Sequence, residues 1–217
     1  MSEHPDIEEG ASLPARKLLQ WLGWLYEGAI HGLPGVDGVE DLAQSYSARR
    51  PCSDEDIDHL INWQVAKAGA AGFVTGIGGM LTLPVVIPAN LASVLYIQIR
   101  MIGAIAQLRG YDVRSDQVKT LVIACLAGSG VIDILKGVGI NIGTRATRQM
   151  VLRISGEVLK RINQAVGFRL VTKAGSKGAV NLVKGVPFVD GVVGGTFDAA
   201  ATKVIGRTAK QVFVPFP

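Results

Sequence analysis

The glycine-rich stretch 137–143, GVGINIG, is the part of this sequence whose spacing most resembles a phosphate-binding loop. It reads GxGxxxG rather than GxGxxG, no predicted strand precedes it, and the Gly-Lys-Ser/Thr triplet of a P-loop is absent. We therefore interpret it as a corner between two helices. Backbone N–H groups at the start of the following helix, with Arg145 and Arg148 beside them, are suited to hold an anion such as a lipid phosphate.

A second candidate is a cluster of charged residues that face the predicted interior. On a helical wheel over 145–164, Arg148 lies on the apolar side. Asp133 shares a side of the predicted helix 116–136 with apolar residues, and Asp190 and Asp198 are turned away from the basic face of the last helix. Because an unpaired buried charge is costly, we expect Arg148 to meet Asp133, Asp190 or Asp198. Two interpretations stay open: an ion pair that fixes helix register, which we favour, or a ligand pocket around Arg148, Asp133 and Asp198.

The histidine and cysteine residues do not occur in the sequence motifs of hydrolases or metalloenzymes. His4, His31 and His59 lie outside any Gly-x-Ser-x-Gly or His-Glu-x-x-His motif. Cys125 falls in a predicted apolar helix, where we interpret it as a small hydrophobic residue. The sequence has no CxxC pair, which favours a reducing compartment for the protein. The sequence therefore predicts no catalytic residue, no metal site and no cofactor, and an enzyme is the less favoured class.

Charge is distributed very unevenly along the chain. Residues 1–60 hold twelve acidic and four basic residues, a net charge of −8, whereas residues 61–217 hold six acidic and eighteen basic residues, a net charge of +12. The net positive charge of residues 61–217 favours binding to an anionic membrane surface. The alternative is that the acidic and basic residues only keep an apolar protein soluble. Nucleic acid is not expected, because Phe168 is the one aromatic residue in the basic segment 134–184. The anion- or lipid-binding candidates are Arg145, Arg148, Arg153, Lys160, Arg161, Lys203 and Arg207.

An uncharged stretch of 32 residues, 68–99, lies between Lys67 and Arg100. It is longer than the roughly 20 apolar residues that cross a bilayer. Clustered glycines in its middle, followed by Pro84 and Pro88, interrupt it. We predict two apolar helices joined by a Gly/Pro-broken corner, a hairpin that lies either in the protein core or in lipid.

The remaining elements are also predicted to be helical. No segment alternates for long with a period of two, so the fold class is all-α, a compact helical bundle around the central hairpin. We predict a disordered acidic tail over 1–13, an N-terminal helical segment over 14–50 and a helical domain over 51–213. The predicted helices are 14–31, 36–49, one capped by Ser53 before the hairpin, one ending at Gly110, 116–136 capped by Ser115, 144–164, pieces over 165–184, and 187–212.

The order of these segments resembles the EcsC protein family. The likeness rests on AKAGAAGFVTGIGGMLTLPVVIPANLASVLYIQIRMIGAIAQLRGYD and on KGVPFVDGVVGGTFDAAATKVIGRTAKQVF, and it covers roughly residues 40–212. The resemblance implies a cytoplasmic, membrane-associated bacterial protein whose family namesake is encoded beside parts of an ABC transporter, and it carries over no catalytic residue. We therefore expect a cytoplasmic accessory protein, peripheral on the inner membrane, that aids a transporter or envelope process. The oligomeric state and the physiological partner are left open.

Overall fold

A computed structural model describes residues 13–47, 52–70, 89–183 and 191–215. Within these ranges the protein is all-α, as predicted, and the corner of the predicted hairpin falls in 71–88, outside the described residues. The helices are α1 (Leu13–His31), α2 (Val39–Ser47), α3 (Asp54–Gly69), α4 (Ala89–Leu108), α5 (Asp116–Cys125), α6 (Gly130–Gly137), α7 (Arg145–Leu152), α8 (Gly156–Val183) and α9 (Gly191–Val212).

Helix α4 is the centre of the bundle. It packs against α1, α2, α3, α5 and α9, and almost every residue from Ala92 to Ala106 is buried. The segment Leu91–Leu108 is long and apolar enough to cross a membrane, and 78% of it is buried inside the protein. A core helix of a water-soluble bundle meets the same length and composition test, so this segment does not indicate a membrane span by itself.

The two ends of the α3–α4 pair are fixed by residues that the sequence identified. Ser53 Oγ accepts the Asp56 N–H at 3.2 Å, and the Asp56 carboxylate accepts the Ser53 N–H at 2.9 Å, which closes a capping box. Gly110 has a φ of +75° and ends α4, with the Tyr111 N–H donating to the Ala106 carbonyl at 3.0 Å. Both helix ends are therefore specified locally.

Helix α9 crosses α3 and α4 at a point of very close approach. A β-carbon added to Gly206 would lie 2.8 Å from Ile61 Cγ2 and 3.2 Å from Met101 Cε. A polar pair follows about one helical turn away, where the buried Gln98 side chain donates to Thr202 Oγ1 at 3.0 Å. The small residue lets three helices meet, and this crossing holds α9 to the hairpin helices.

Two predicted helices are each divided in the structure. The predicted helix 116–136 is broken between α5 and α6 at Gly128, whose φ is +67°. The predicted helix 144–164 is broken between α7 and α8, where Arg153 leaves the helical region (φ −106°, ψ 10°) and Ser155 Oγ accepts the Val158 N–H at 3.4 Å. Gly128 and Ser155 are residue types that suit helix ends, but each lies inside a continuous apolar pattern. That pattern predicted one helix where the structure has two.

Candidate functional site

Arg148 is buried, as its place on the apolar side of the wheel predicted, and its described contacts include backbone carbonyls that the sequence did not indicate. Its guanidinium donates to the carbonyl oxygen of Arg109 at 3.0 Å and to that of Gly110 at 2.8 Å. These carbonyls belong to the end of α4, where unpaired carbonyls and the helix dipole favour a cation. Arg148 therefore caps α4 from α7.

The ring of Tyr111 also lies against Arg148. The guanidinium carbon lies 4.7 Å from the ring centroid, and Tyr111 meets Phe213 edge-on at 5.1 Å between centroids. Burial lowers the pKa of the guanidinium, and the nearby Tyr111 acts in the opposite sense. The charge is thus stabilised by backbone dipoles and an aromatic face.

Two of the three acidic residues expected beside Arg148, Asp133 and Asp198, form no ion pair with it in the described structure. Asp133 is exposed on α6, and its carboxylate is 3.7 Å from the Arg169 guanidinium. Asp198 is partly buried on α9, where burial raises its pKa, and no ion pair joins it to Arg148 within the described ranges. Asp190 lies outside the described residues. The structure does not bring Asp133, Asp198 and Arg148 together, because the break at Gly128 turns α6 out of the line assumed for a single helix.

The other predicted anion-binding residues lie mainly on the surface of α7, α8 and α9. Arg153, Lys203 and Arg207 are exposed, and in the described part of the chain no carboxylate lies within ion-pair distance of them. Lys160 is half-buried, and Arg161 pairs with Glu157 at 2.6 Å on the exposed side of α8. The side chain of Arg145 lies outside the described residues.

Exposed basic and apolar side chains of α8 and α9 lie near the α5–α6 corner. Phe168, 68% exposed, points away from the core next to Arg169 on α8. The Arg169 guanidinium lies over Gly130, and Gly128 in the same corner faces Val204 of α9, which is 46% exposed. We call Phe168, Arg169, Lys203, Val204 and Arg207 the basic–apolar face.

An apolar groove lies at the opposite end of the α6–α8 pair. It has a volume of about 380 Å³ and is lined by Val138, Ile140, Met150, Ile154 and Val158, together with Gln149 and Arg153. Since Arg169 meets the start of α6 and Val158 meets the residue after its end, the two helices run antiparallel. The groove is therefore about 16 Å along α8 from the basic–apolar face.

Some acidic side chains lie together elsewhere on the bundle. A cleft of about 450 Å³ between α1, α2 and the turn after α4 is lined by Glu40, Asp41 and Asp112, with Arg114 beside them. Other acidic residues pair with basic ones: Lys210 of α9 lies 2.9 Å from the Asp58 carboxylate and 3.4 Å from that of Asp54. Acidic and basic side chains are therefore not fully separated in the described structure.

Sequence reasoning missed the apolar half of the basic–apolar face. The sequence marks Phe168 only as an isolated aromatic residue, and its pattern does not distinguish Val204 or Arg169 from other surface residues. The exposure of Phe168 could have been predicted from helical phase, because Phe168 lies opposite the buried Val166 on a helical wheel. The contact between Arg169 and Gly130 depends on the α5–α6 corner, which the predicted single helix concealed.

The sequence profile of the EcsC protein family matches residues 39–214, which include α2 through α9. The chain belongs to the EcsC protein family. The match confirms the resemblance carried by the hairpin and by the closing segment, and it starts after α1. No curated protein and no solved structure is detectably similar to the chain.

Proposed function

We propose that this EcsC-family protein docks peripherally on anionic phospholipid surfaces. The observation that carries the proposal is the basic–apolar face, where the exposed ring of Phe168 lies next to Arg169. Basic side chains near an anionic bilayer each contribute roughly 1 kcal/mol, and an aromatic ring that enters the interface adds apolar burial. Neither contribution is strong alone, so the proposal rests on both kinds of exposed side chain acting together.

The arrangement of the hairpin helices favours peripheral docking over insertion. Moving α4 into lipid would remove it from contact with five other helices. It would also expose Arg100, which is 4% exposed and donates to the Asp37 carbonyl at 2.8 Å. A charged residue in the bilayer core is costly, so the described helices favour a bundle that stays folded at the surface.

The family resemblance suggests the biological setting of this docking. We infer a cytoplasmic protein at the inner face of a bacterial membrane that assists a membrane protein complex, such as a transporter, or an envelope process. Cell fractionation tests the location. Electrostatically docked protein should leave the membrane fraction in high salt, whereas protein recovered only in the soluble fraction at low salt would contradict the inference.

Vesicle flotation tests the proposed docking directly. We expect co-flotation with phosphatidylglycerol-containing vesicles at low salt, loss of binding in about 0.5 M salt, and little binding to pure phosphatidylcholine. Phe168→Ser and Arg169→Gln should each weaken binding several-fold. The matched controls are Trp24→Ser, an aromatic residue 48% exposed on α1, and Arg114→Gln beside the acidic cleft. Equal losses in the controls, or no vesicle binding at all, would overturn the proposal.

The alternative of a soluble binding or enzymatic domain centred on Arg148 lacks a comparable observation. Arg148 is engaged with backbone carbonyls and Tyr111, and neither Asp133 nor Asp198 joins it in the described structure. These contacts give the alternative less support than the basic–apolar face gives the docking proposal.

A further inference from the structure

The apolar groove between the α6–α7 link, α7 and the start of α8 has the features of a binding site for an amphiphile. Its floor is built from aliphatic and thioether side chains, including Ile140, Met150 and Ile154. Its volume of about 380 Å³ falls within the range of roughly 300–1,000 Å³ that is typical of small-molecule sites. An apolar surface of this kind favours a hydrocarbon chain over a polar metabolite.

Arg153 supplies a positive charge to the groove. It is the residue that ends α7, it is exposed, and within the described ranges no carboxylate forms an ion pair with it. A guanidinium is well suited to a phosphate oxygen, which accepts two parallel N–H donors. The groove therefore joins an apolar floor to an available cation.

The beginning of α8 reinforces this positive end. Ser155, which also lines the groove, caps the 28-residue helix α8, whose first N–H groups and dipole favour an anion close to Arg153. Glu157 is the acidic residue of that first turn, and its carboxylate is engaged with Arg161 at 2.6 Å. The local field near Arg153 thus remains favourable for a phosphate.

We infer that this groove takes one acyl chain of an anionic phospholipid drawn from the bilayer, with the lipid phosphate at Arg153. The inference rests on the proposed docking, because Val158 of the groove and Arg169 of the basic–apolar face both lie on α8, about 16 Å apart along the helix. The groove would then hold a single lipid while the basic–apolar face holds the bilayer surface.

A titration with soluble short-chain lipids tests the inference. Monomeric dihexanoyl-phosphatidylglycerol should shift the NMR signals of the groove residues saturably, and dihexanoyl-phosphatidylcholine should bind at least tenfold more weakly. Ala146→Trp, which fills the groove from an exposed position, and Arg153→Gln should each raise the apparent Kd at least tenfold. Ala200→Trp, at an exposed position of α9, is the matched control and should bind as the parent protein does.

The outcomes separate the lipid groove from the docking surface. Absence of saturable shifts at the groove, or equal affinity for the two headgroups, would overturn the inference. Binding of octanoate without binding of the phosphatidylglycerol would also overturn it and would indicate a free fatty acid as ligand. Vesicle flotation of Ala146→Trp should stay within threefold of the parent protein. Groove binding without flotation of the parent would instead contradict the proposed docking alone.

Discussion

The guanidinium of Arg169 lies directly over the backbone of Gly130, so that a β-carbon at position 130 would be 2.3 Å from Arg169 Nε. This contact joins α8 to the first turn of α6 and places Arg169 3.7 Å from the Asp133 carboxylate. The position of a basic residue on the basic–apolar face therefore depends on a glycine in another helix.

We expect Gly130→Ala to displace Arg169 while leaving the fold intact. The atoms that must move are the far end of a flexible side chain, and alanine is a better helix former than glycine by about 1 kcal/mol. Urea unfolding should show a free energy of unfolding equal to or above that of the parent protein, and vesicle binding should weaken as it does in Arg169→Gln. A large loss of stability would show that Arg169 cannot move aside.

Arg148→Met should destabilise the protein through the end of α4. The substitution removes two charge-assisted hydrogen bonds and leaves the carbonyls of Arg109 and Gly110 without these donors, which costs about 2–4 kcal/mol. Arg148→Lys should recover only part of this loss, because one ammonium does not reproduce a planar fork of donors. Urea unfolding measures both variants, and parent-like stability of Arg148→Met would contradict the capping role.

The features that local sequence specifies were predictable, and those that depend on tertiary contacts were not. Ser53 and Gly110 were identified because a side-chain cap and a left-handed glycine act within one helical turn. The burial of Arg148 followed from its helical phase. Its described partners include the backbone carbonyls of Arg109 and Gly110, which carry no residue-type signal, so the sequence could not indicate them.

The corner at Gly128 had the largest effect on the predicted site. Apolar residues continue on both sides of it, so the pattern favoured one helix over 116–136 and placed Asp133 inside. The structure uses Gly128 at positive φ to end α5, and Asp133 then lies at the surface. The helical phase of residues before such a break does not predict which side the residues after it face. The chain has many glycines, and their presence alone does not show which one ends a helix.

Asp54→Asn should make the protein less stable at neutral pH and change how its stability depends on acid. The hydrogen bond from the Arg109 side chain lowers the pKa of Asp54, and Lys210, 3.4 Å from its carboxylate, acts in the same sense. A carboxylate with a lowered pKa stabilises the fold above its unfolded pKa of about 3.9, and that stability is lost as pH falls through the lower folded value.

The Asp54 side chain is 66% exposed, so solvent screening limits the effect to at most about 1 kcal/mol. Urea unfolding between pH 7 and pH 2.5 should show the parent and the Asn variant converging at the acidic end. Glu55→Gln is the matched control, since Glu55 is exposed in the same first turn of α3. A difference that persists unchanged to the lowest pH would exclude the ionised carboxylate as its cause.

Gln64→Leu should stabilise the protein, because Gln64 is fully buried on α3 and both polar atoms of its amide lack a hydrogen-bond partner in the described structure. Leucine has a similar volume and removes a desolvation cost of about 1–3 kcal/mol, which urea unfolding would register as an increase in the free energy of unfolding. Gln98→Leu is the control of opposite sign, since it breaks the bond to the buried Thr202 hydroxyl and should destabilise the protein. If Gln64→Leu destabilises it as well, the Gln64 amide is satisfied in solution, and α3 is held to its neighbours by a polar contact rather than by apolar packing alone.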